Sequence, residues 1–192
     1  MAVTINADTS NGLVMTPDTS GEIKLQSAGT DIATVNSSGI TMASGKVLAP
    51  TGPAFSAYLS SSQTPTLSTW TRVNFDTEVF DTNSNFASST FTPTVAGYYQ
   101  INAKFRGNIS TSTTSILVAL YKNGNIYDTL ARSLVNNANL QTLSVSSLVY
   151  MNGTTDYIEL FVNMQGTGTP AIYGDALYRN ACNINGVLVR AS

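Results

Sequence analysis

Apolar residues in this chain recur at every second position, and no stretch of its 192 residues carries the 3.6-residue stripe of a buried helix face. Tyr99, Ile101, Ala103 and Phe105 alternate with Gln100, Asn102, Lys104 and Arg106, the pattern of a half-buried strand. Ile116, Val118 and Leu120 make one apolar face and Leu117, Ala119 and Tyr121 another, which predicts a strand covered on both sides. Lys122-Asn123-Gly124-Asn125 follows, and Asn-Gly is a strong hairpin signal because both residues tolerate positive φ. Leu143, Val145 and Val149 share a face, residues 152–156 turn the chain, and Ile158, Leu160, Val162 and Met164 carry the return strand. A last strand is expected from Ile184 to Val189. Many short strands with closely spaced turn signals and no helix predict an all-β sandwich or jelly roll.

Composition narrows the function classes. Charged residues make up 10% of the chain, against about 25% in an average soluble domain. Ser, Thr and Asn supply 66 of the 192 residues instead. Such a neutral, hydroxyl- and amide-rich surface suits an extracellular or virion protein better than a cytosolic enzyme. There is no histidine, so the usual general base, metal ligand and pH switch are all missing. The single cysteine, Cys182, excludes an intramolecular disulfide framework and a thiolate zinc site. The net charge of −2 resides in residues 1–53, where Lys24 and Lys46 face Asp8, Asp18, Glu22 and Asp31. Residues 54–192 hold seven basic and seven acidic residues. With no basic stripe, nucleic acid is not an expected partner. No apolar run approaches the roughly 20 residues of a membrane span, and no basic-then-apolar secretion signal is visible at the N-terminus.

Residues 1–50 read as a β-rich segment of short strands. Val3 and Ile5, Leu13 and Met15, Ile23 and Leu25, and Ile40 and Met42 alternate with polar neighbours, while Ile32 and Val35 sit in a less regular stretch. Glycines at 12, 21, 29, 39 and 45 punctuate them, and Asp-Thr-Ser recurs at residues 8–10 and 18–20. Two or three medium side chains per strand release only a few kcal/mol at about 25 cal/mol per Å². Ordering each residue costs roughly 1–2 kcal/mol. A segment this poor in apolar surface is expected either to be supported by partner chains, as an intertwined stalk or as an anchor laid on another protein, or to be a disordered leader. Ala49-Pro50-Thr51-Gly52-Pro53 then forms a junction, its two prolines unable to continue a ladder. A domain of 54–192 follows.

The run Phe91-Thr92-Pro93-Thr94-Val95-Ala96-Gly97-Tyr98-Tyr99 resembles the "F-T-x-P-x-x-G-x-Y" signature of the complement-C1q-like domain. Other pieces stand in that family's order. Val73-Asn74-Phe75-Asp76 and Asn85-Phe86 look like its preceding strands, and Leu120-Tyr121-Lys122-Asn123-Gly124 resembles its "L-x-K-N-G" hairpin. Asn152-Gly153 through Asp156-Tyr157-Ile158-Glu159-Leu160 and Ile184-Asn185-Gly186-Val187-Leu188 resemble its later turn and closing strand. The resemblance implies a ten-stranded jelly roll, related to tumour necrosis factor, that assembles as a homotrimer. It further implies that strands near Ala54–Leu59, Gly97–Arg106, Gln141–Met151 and Cys182–Arg190 form the subunit-facing sheet. The residues expected at that interface are Tyr98, Gln100, Asn102, Thr142, Ser144, Ser146, Ile184 and Leu188. The family's collagen-like arm is not seen, and Leu13 to Leu25 resembles a stalk segment of bacteriophage fibres instead.

Chemistry beyond assembly is sparse. No nucleophile elbow, phosphate-cradling loop or helical metal-ligand pair occurs, and no serine has a histidine to activate it. Asp76 and Glu78 share a strand face at a spacing that glycosidase carboxylates could use, with surface solvation as the simpler reading. No cofactor is expected; Asp128, Asp156 and Asp175 supply hard oxygens for calcium, but without an EF-hand spacing. Trp70, Tyr98, Tyr127, Tyr173 and Tyr178 offer aromatic faces for stacking on sugars, or for packing within the sandwich. Of these, Trp70, Tyr127, Tyr173 and Tyr178 are the receptor-contact candidates.

The expected protein is therefore a non-enzymatic, homotrimeric phage structural protein: a short fibre, head fibre or capsid decoration displayed on the particle exterior. Its residues 1–50 would engage other virion proteins, and its head would stabilise the particle or meet a host glycan or surface protein. A secreted C1q-like lectin or adhesion protein of a cellular organism is the alternative, and a fibre-borne glycan depolymerase the third.

Overall fold

The structure, a computed structural model, describes residues 21–45, 52–137, 139–177 and 181–192. The chain divides into two units between Thr51 and Gly52. The described part of the first is an antiparallel meander of β1 (Ile23–Ser27), β2 (Thr30–Asn36) and β3 (Gly39–Met42). Ala28 and Gly29, at φ of 51° and 76°, form the two-residue turn between β1 and β2. Mirror-image turns of this kind match the twist of the strands they join. The less regular stretch around Ile32 and Val35 is the central seven-residue strand β2. Ala33 and Val35 keep the alternation; Ile32 falls out of step because the pairing slips between Leu25 and Gln26. The strands expected at Val3/Ile5 and Leu13/Met15, the Asp-Thr-Ser repeat and most of the proline junction lie outside the described residues.

The second unit, Gly52–Ser192, is all-β throughout its described residues. In chain order its strands are β4 (Ala54–Tyr58), β5 (Thr71–Arg72), β6 (Thr77–Asp81), β7 (Phe86–Ala87), β8 (Thr90–Phe91), β9 (Gly97–Ile109), β10 (Ser112–Lys122), β11 (Asn125–Asn137), β12 (Gln141–Met151), β13 (Ile158–Thr167), β14 (Pro170–Ile172) and β15 (Asn183–Ala191). They make two antiparallel six-stranded sheets. One runs β12-β9-β15-β4-β6, with β14 on β9; the other runs β11-β10-β13-β8-β7, with β5 on β13. The four segments expected to share a sheet, now β4, β9, β12 and β15, do share one. The head has twelve strands among its described residues, of which β5, β7 and β8 are two-residue pieces.

The core lies between the sheets. Its centre is an aromatic stack to which the signature run supplies Phe91 and Tyr99. Phe91 lies 4.2 Å from Phe55 ring to ring and meets Tyr99 edge-on at 5.4 Å; Phe55 also stacks on Phe86 at 4.9 Å. Tyr99 donates its hydroxyl to the Val95 carbonyl at 2.8 Å, and burial pushes its pKa up to about 12. It remains a protonated donor at physiological pH. Tyr99, Ile101, Ala103 and Phe105 all face inward, as their alternation predicts. β10 is covered on both faces: Ala119 is fully buried, Tyr121 stacks on Phe161 at 4.1 Å, and Trp70 closes over Tyr121 at 5.7 Å.

The turns follow local chemistry. Asn123 and Gly124 take φ of 52° and 78° and join β10 to β11, as expected for Asn-Gly. Asn152 Oδ1 accepts the amides of Thr154, Thr155 and Asp156 at 2.9–3.0 Å, closing the turn before β13. Cys182 is buried and accepts the Arg106 amide at 3.1 Å; burial pushes its thiol up to about 11.

Candidate assembly face

The outward face of the β12-β9-β15-β4 sheet carries most of the residues expected at a subunit interface. Register aligns them in rows across the strands. Ser146, Asn102, Asn185 and Ser56 form one row, and Leu148, Gln100, Val187 and Ala54 the next. Tyr150 and Tyr98 face each other beyond, their rings edge-to-face at 5.4 Å. Thr142 and Ser144 continue β12 in the other direction, opposite Arg106 and Lys104.

The amide row is a hydrogen-bonded ladder. Gln100 Nε2 donates to Ser146 Oγ at 2.9 Å, Ser146 Oγ to Asn102 Oδ1 at 2.8 Å, and Asn102 Nδ2 to Asn185 Oδ1 at 3.2 Å. These side chains satisfy one another within one chain, so covering them strands few polar atoms. Beside the ladder, Leu148 is 53% and Val187 47% exposed, on either side of Gln100. Tyr98, Tyr150 and Phe80 are also exposed. The face holds Lys104, Arg106 and Arg190 but no acid on β9, β12 or β15. β12 ends the sheet with eleven residues that include no charge and no proline. Such an edge lacks the usual defences against pairing with another chain.

Two expected interface residues point the other way. Ile184 is fully buried in the head's own core, and Leu188 packs against that core. Their alternating neighbours Asn185 and Val187 hold the outward positions. The reason is phase: Ile184 pairs with the inward Ala103, and Asn185 with the outward Asn102. Leu148 and Tyr150, absent from the expectation, continue the parity of Thr142, Ser144 and Ser146 along β12 and could have been read from it.

The aromatic receptor candidates are not gathered into one site. Trp70 packs on Tyr121 over the opposite sheet. Tyr127 is exposed on β11, 5.8 Å from the Lys122 ammonium. Tyr173 is exposed after β14, its hydroxyl donating to Asn108 Oδ1 at 3.2 Å. Tyr178 and the side chain of Asp128 lie outside the described residues. Of the remaining carboxylates, Glu78 is exposed on β6 while Asp76 precedes that strand, so the two do not share a strand face; Asp76 and Asp175 are engaged locally. Asp76 accepts the amide and hydroxyl of Ser60 at 2.7 and 2.9 Å, and Asp175 the amide of Leu177 at 3.0 Å. Among the described residues, no three acidic or cysteine side chains gather as a metal site would require.

Solved structures with this arrangement fix the fold. The globular domain of zebrafish complement 1qA covers 73% of this chain and 99% of its own, with a TM-score of 0.54 at 13% identity. The C1q/TNF-like jelly roll is the fold of this head. Murine APRIL at pH 5.0 covers 72% of this chain and 99% of its own, with a TM-score of 0.52 at 10% identity. PRD1 vertex protein P5 covers 74% and 100%, with a TM-score of 0.50 at 16% identity. No protein-family model and no curated protein sequence matches the chain.

Proposed function

We propose that this protein is a non-enzymatic, homotrimeric structural protein of a bacteriophage particle, a short fibre, head fibre or capsid decoration protein. Three heads meet through the outward face of β12, β9, β15 and β4, and project from the particle exterior. The observation that carries this reading is the exposed Leu148 and Val187 flanking Gln100, next to the Tyr98–Tyr150 pair. Fully burying an exposed side chain of this size is worth about 1.5–3 kcal/mol, and since Leu148 and Val187 are half covered already, covering the rest is worth about half of that each. The ladder between them is already hydrogen-bonded, so its burial costs little. The likeness to a vertex protein of PRD1 supports a place on a particle, as does the fibre-like patterning of residues 1–50, which attach the head to other virion proteins. Tyr127 and Tyr173 are the exposed aromatics left for a host glycan or surface protein. Three weak contacts per head, repeated over a particle, bind by avidity.

Light scattering on the purified chain tests the assembly. A particle three times the 20.3 kDa of one chain is expected. A variant carrying Leu148→Asp and Val187→Asp should be a folded monomer by circular dichroism. A wild-type monomer at micromolar concentration overturns the reading. Electron cryomicroscopy of the parent particle tests the location, and density without this head rejects it.

A further inference from the structure

We propose that Lys104 and Arg106, side by side on the outward face of β9, form a binding site for an oxyanion: a sulfate, phosphate or carboxylate group, free or borne on a polymer. The two stand two residues apart in an extended strand, so their side chains leave the same face about 7 Å apart. Phe105 between them points inward and is fully buried, and both cations are half-buried. Register supplies the surroundings. Lys104 lies between Ser144 of β12 and Asn183 of β15, and Arg106 lies opposite Thr142 of β12. On its other side the Arg106 carbonyl accepts the Tyr173 amide at 2.8 Å, and the Tyr173 hydroxyl reaches Asn108 Oδ1 at 3.2 Å. The ladder through Ser146, Asn102 and Asn185 separates this pair from the exposed Leu148, Val187, Tyr98 and Tyr150.

The missing counter-charge points to a ligand. Among the described residues of the head, the other half-buried cations are paired, Arg72 with Glu159 at 2.8 Å and Lys122 with Asp156 at 2.9 Å. Lys104 and Arg106 meet no carboxylate among the described residues. The acids of their own sheet, Glu78 and Asp81, sit on β6, three strands and so about 14 Å from β9. Charges that far apart are largely screened, since the Debye length is about 8 Å in physiological salt. Asp175, two residues beyond Tyr173, accepts the Leu177 amide, and residues 178–180 are Tyr-Arg-Asn, which bring no acid. Two like charges held side by side repel, and each has given up part of its hydration. An oxyanion between them relieves both. The guanidinium offers paired N–H donors to such a group, the ammonium adds a compact charge, and the exposed hydroxyls of Thr142 and Ser144 stand alongside. All these residues belong to one chain, so the site stands whether or not heads assemble.

The test uses the full chain with immobilised dextran sulfate, neutral dextran as its matched control, and inorganic sulfate as the free ion. Dextran sulfate should retain the wild-type protein at low salt and neutral dextran should not. Lys104→Gln with Arg106→Gln should weaken retention at least about tenfold. Arg132→Gln with Arg190→Gln removes the same charge from exposed positions and should change it less than about twofold. Circular dichroism checks that both double variants fold. A sulfate titration followed by NMR of the Lys104 and Arg106 side chains reads the free ion. Shifts without retention identify a free ion as the occupant, and retention without shifts a group borne on a polymer; either supports the site. Binding of neither probe, or equal loss in the two double variants, overturns the inference and leaves the assembly reading untouched.

Discussion

Lys122 Nζ stands 2.9 Å from the Asp156 carboxylate, an ion pair that clamps the β10–β11 hairpin to the turn before β13. The same ammonium donates to the Tyr150 carbonyl at 2.7 Å. Asp156 also accepts from Asn123 Nδ2 at 2.8 Å and from the Asn152 amide at 3.0 Å. Burial alone would raise the Asp156 pKa. The hydrogen bonds from Asn123, Lys122 and Asn152, together with the Lys122 charge, outweigh burial and hold it below the usual carboxylate range. A depressed folded-state pKa stabilises the protein above the unfolded value, near 4, and that stability is lost as pH falls through the folded value. Thermal melts from pH 7 to pH 2 should show the head weakening in the acid range. Asp156→Asn should flatten this acid limb and cost about 1–3 kcal/mol at pH 7. An unchanged acid limb in the variant would exclude Asp156 as its source.

Ser88 and Ser89 both take positive φ, 50° and 65°, in the two-residue turn between β7 and β8. A residue with a Cβ is strained there by about 1–2 kcal/mol. Ser89 is buried and donates its hydroxyl to the Phe75 carbonyl at 3.2 Å, whereas Ser88 is exposed. Relief of that strain less the entropic cost of glycine leaves Ser88→Gly more stable by about 0.5–1 kcal/mol in denaturant titration, while Ser89→Gly should gain less or lose.

Phe91 is fully buried and touches two rings, Phe55 and Tyr99. Phe91→Ala should cost about 3–5 kcal/mol, enough to leave a head of ordinary stability largely unfolded near its working temperature. Phe91→Leu, which keeps most of the volume, should fold. Chemical denaturation of the two variants checks the difference.

Cys182, with its thiol pushed up to about 11 by burial, should resist a thiol reagent at pH 8 in the native protein. It should react at one equivalent per chain once denaturant is added. Fast native labelling would show that β15 opens readily.

Much of the head was legible because its signals are local. The all-β class follows from period-two alternation, the β10–β11 turn from Asn123-Gly124, and the jelly-roll fold from the resemblance that the Phe91–Tyr99 run carries. Turns without a residue bias were not legible: nothing in Ser88-Ser89 announces positive φ. The location of Trp70 was also hidden, since an indole between polar neighbours reads the same whether it meets solvent or Tyr121.

The sequence by itself determined that this chain builds strands, and that it has no histidine and no second cysteine for an internal disulfide or a thiolate zinc site. Only the tertiary structure decided which side of β15 meets the core. Ile184 lies inside and Asn185 outside because β15 pairs with β9 in one register, and a slip of one residue would exchange them. Alternation has two phases. In β15 one phase holds Ile184, Leu188 and Arg190 and the other Asn185, Val187 and Val189, so apolar residues fall in both, and the choice is made by a partner strand some eighty residues away.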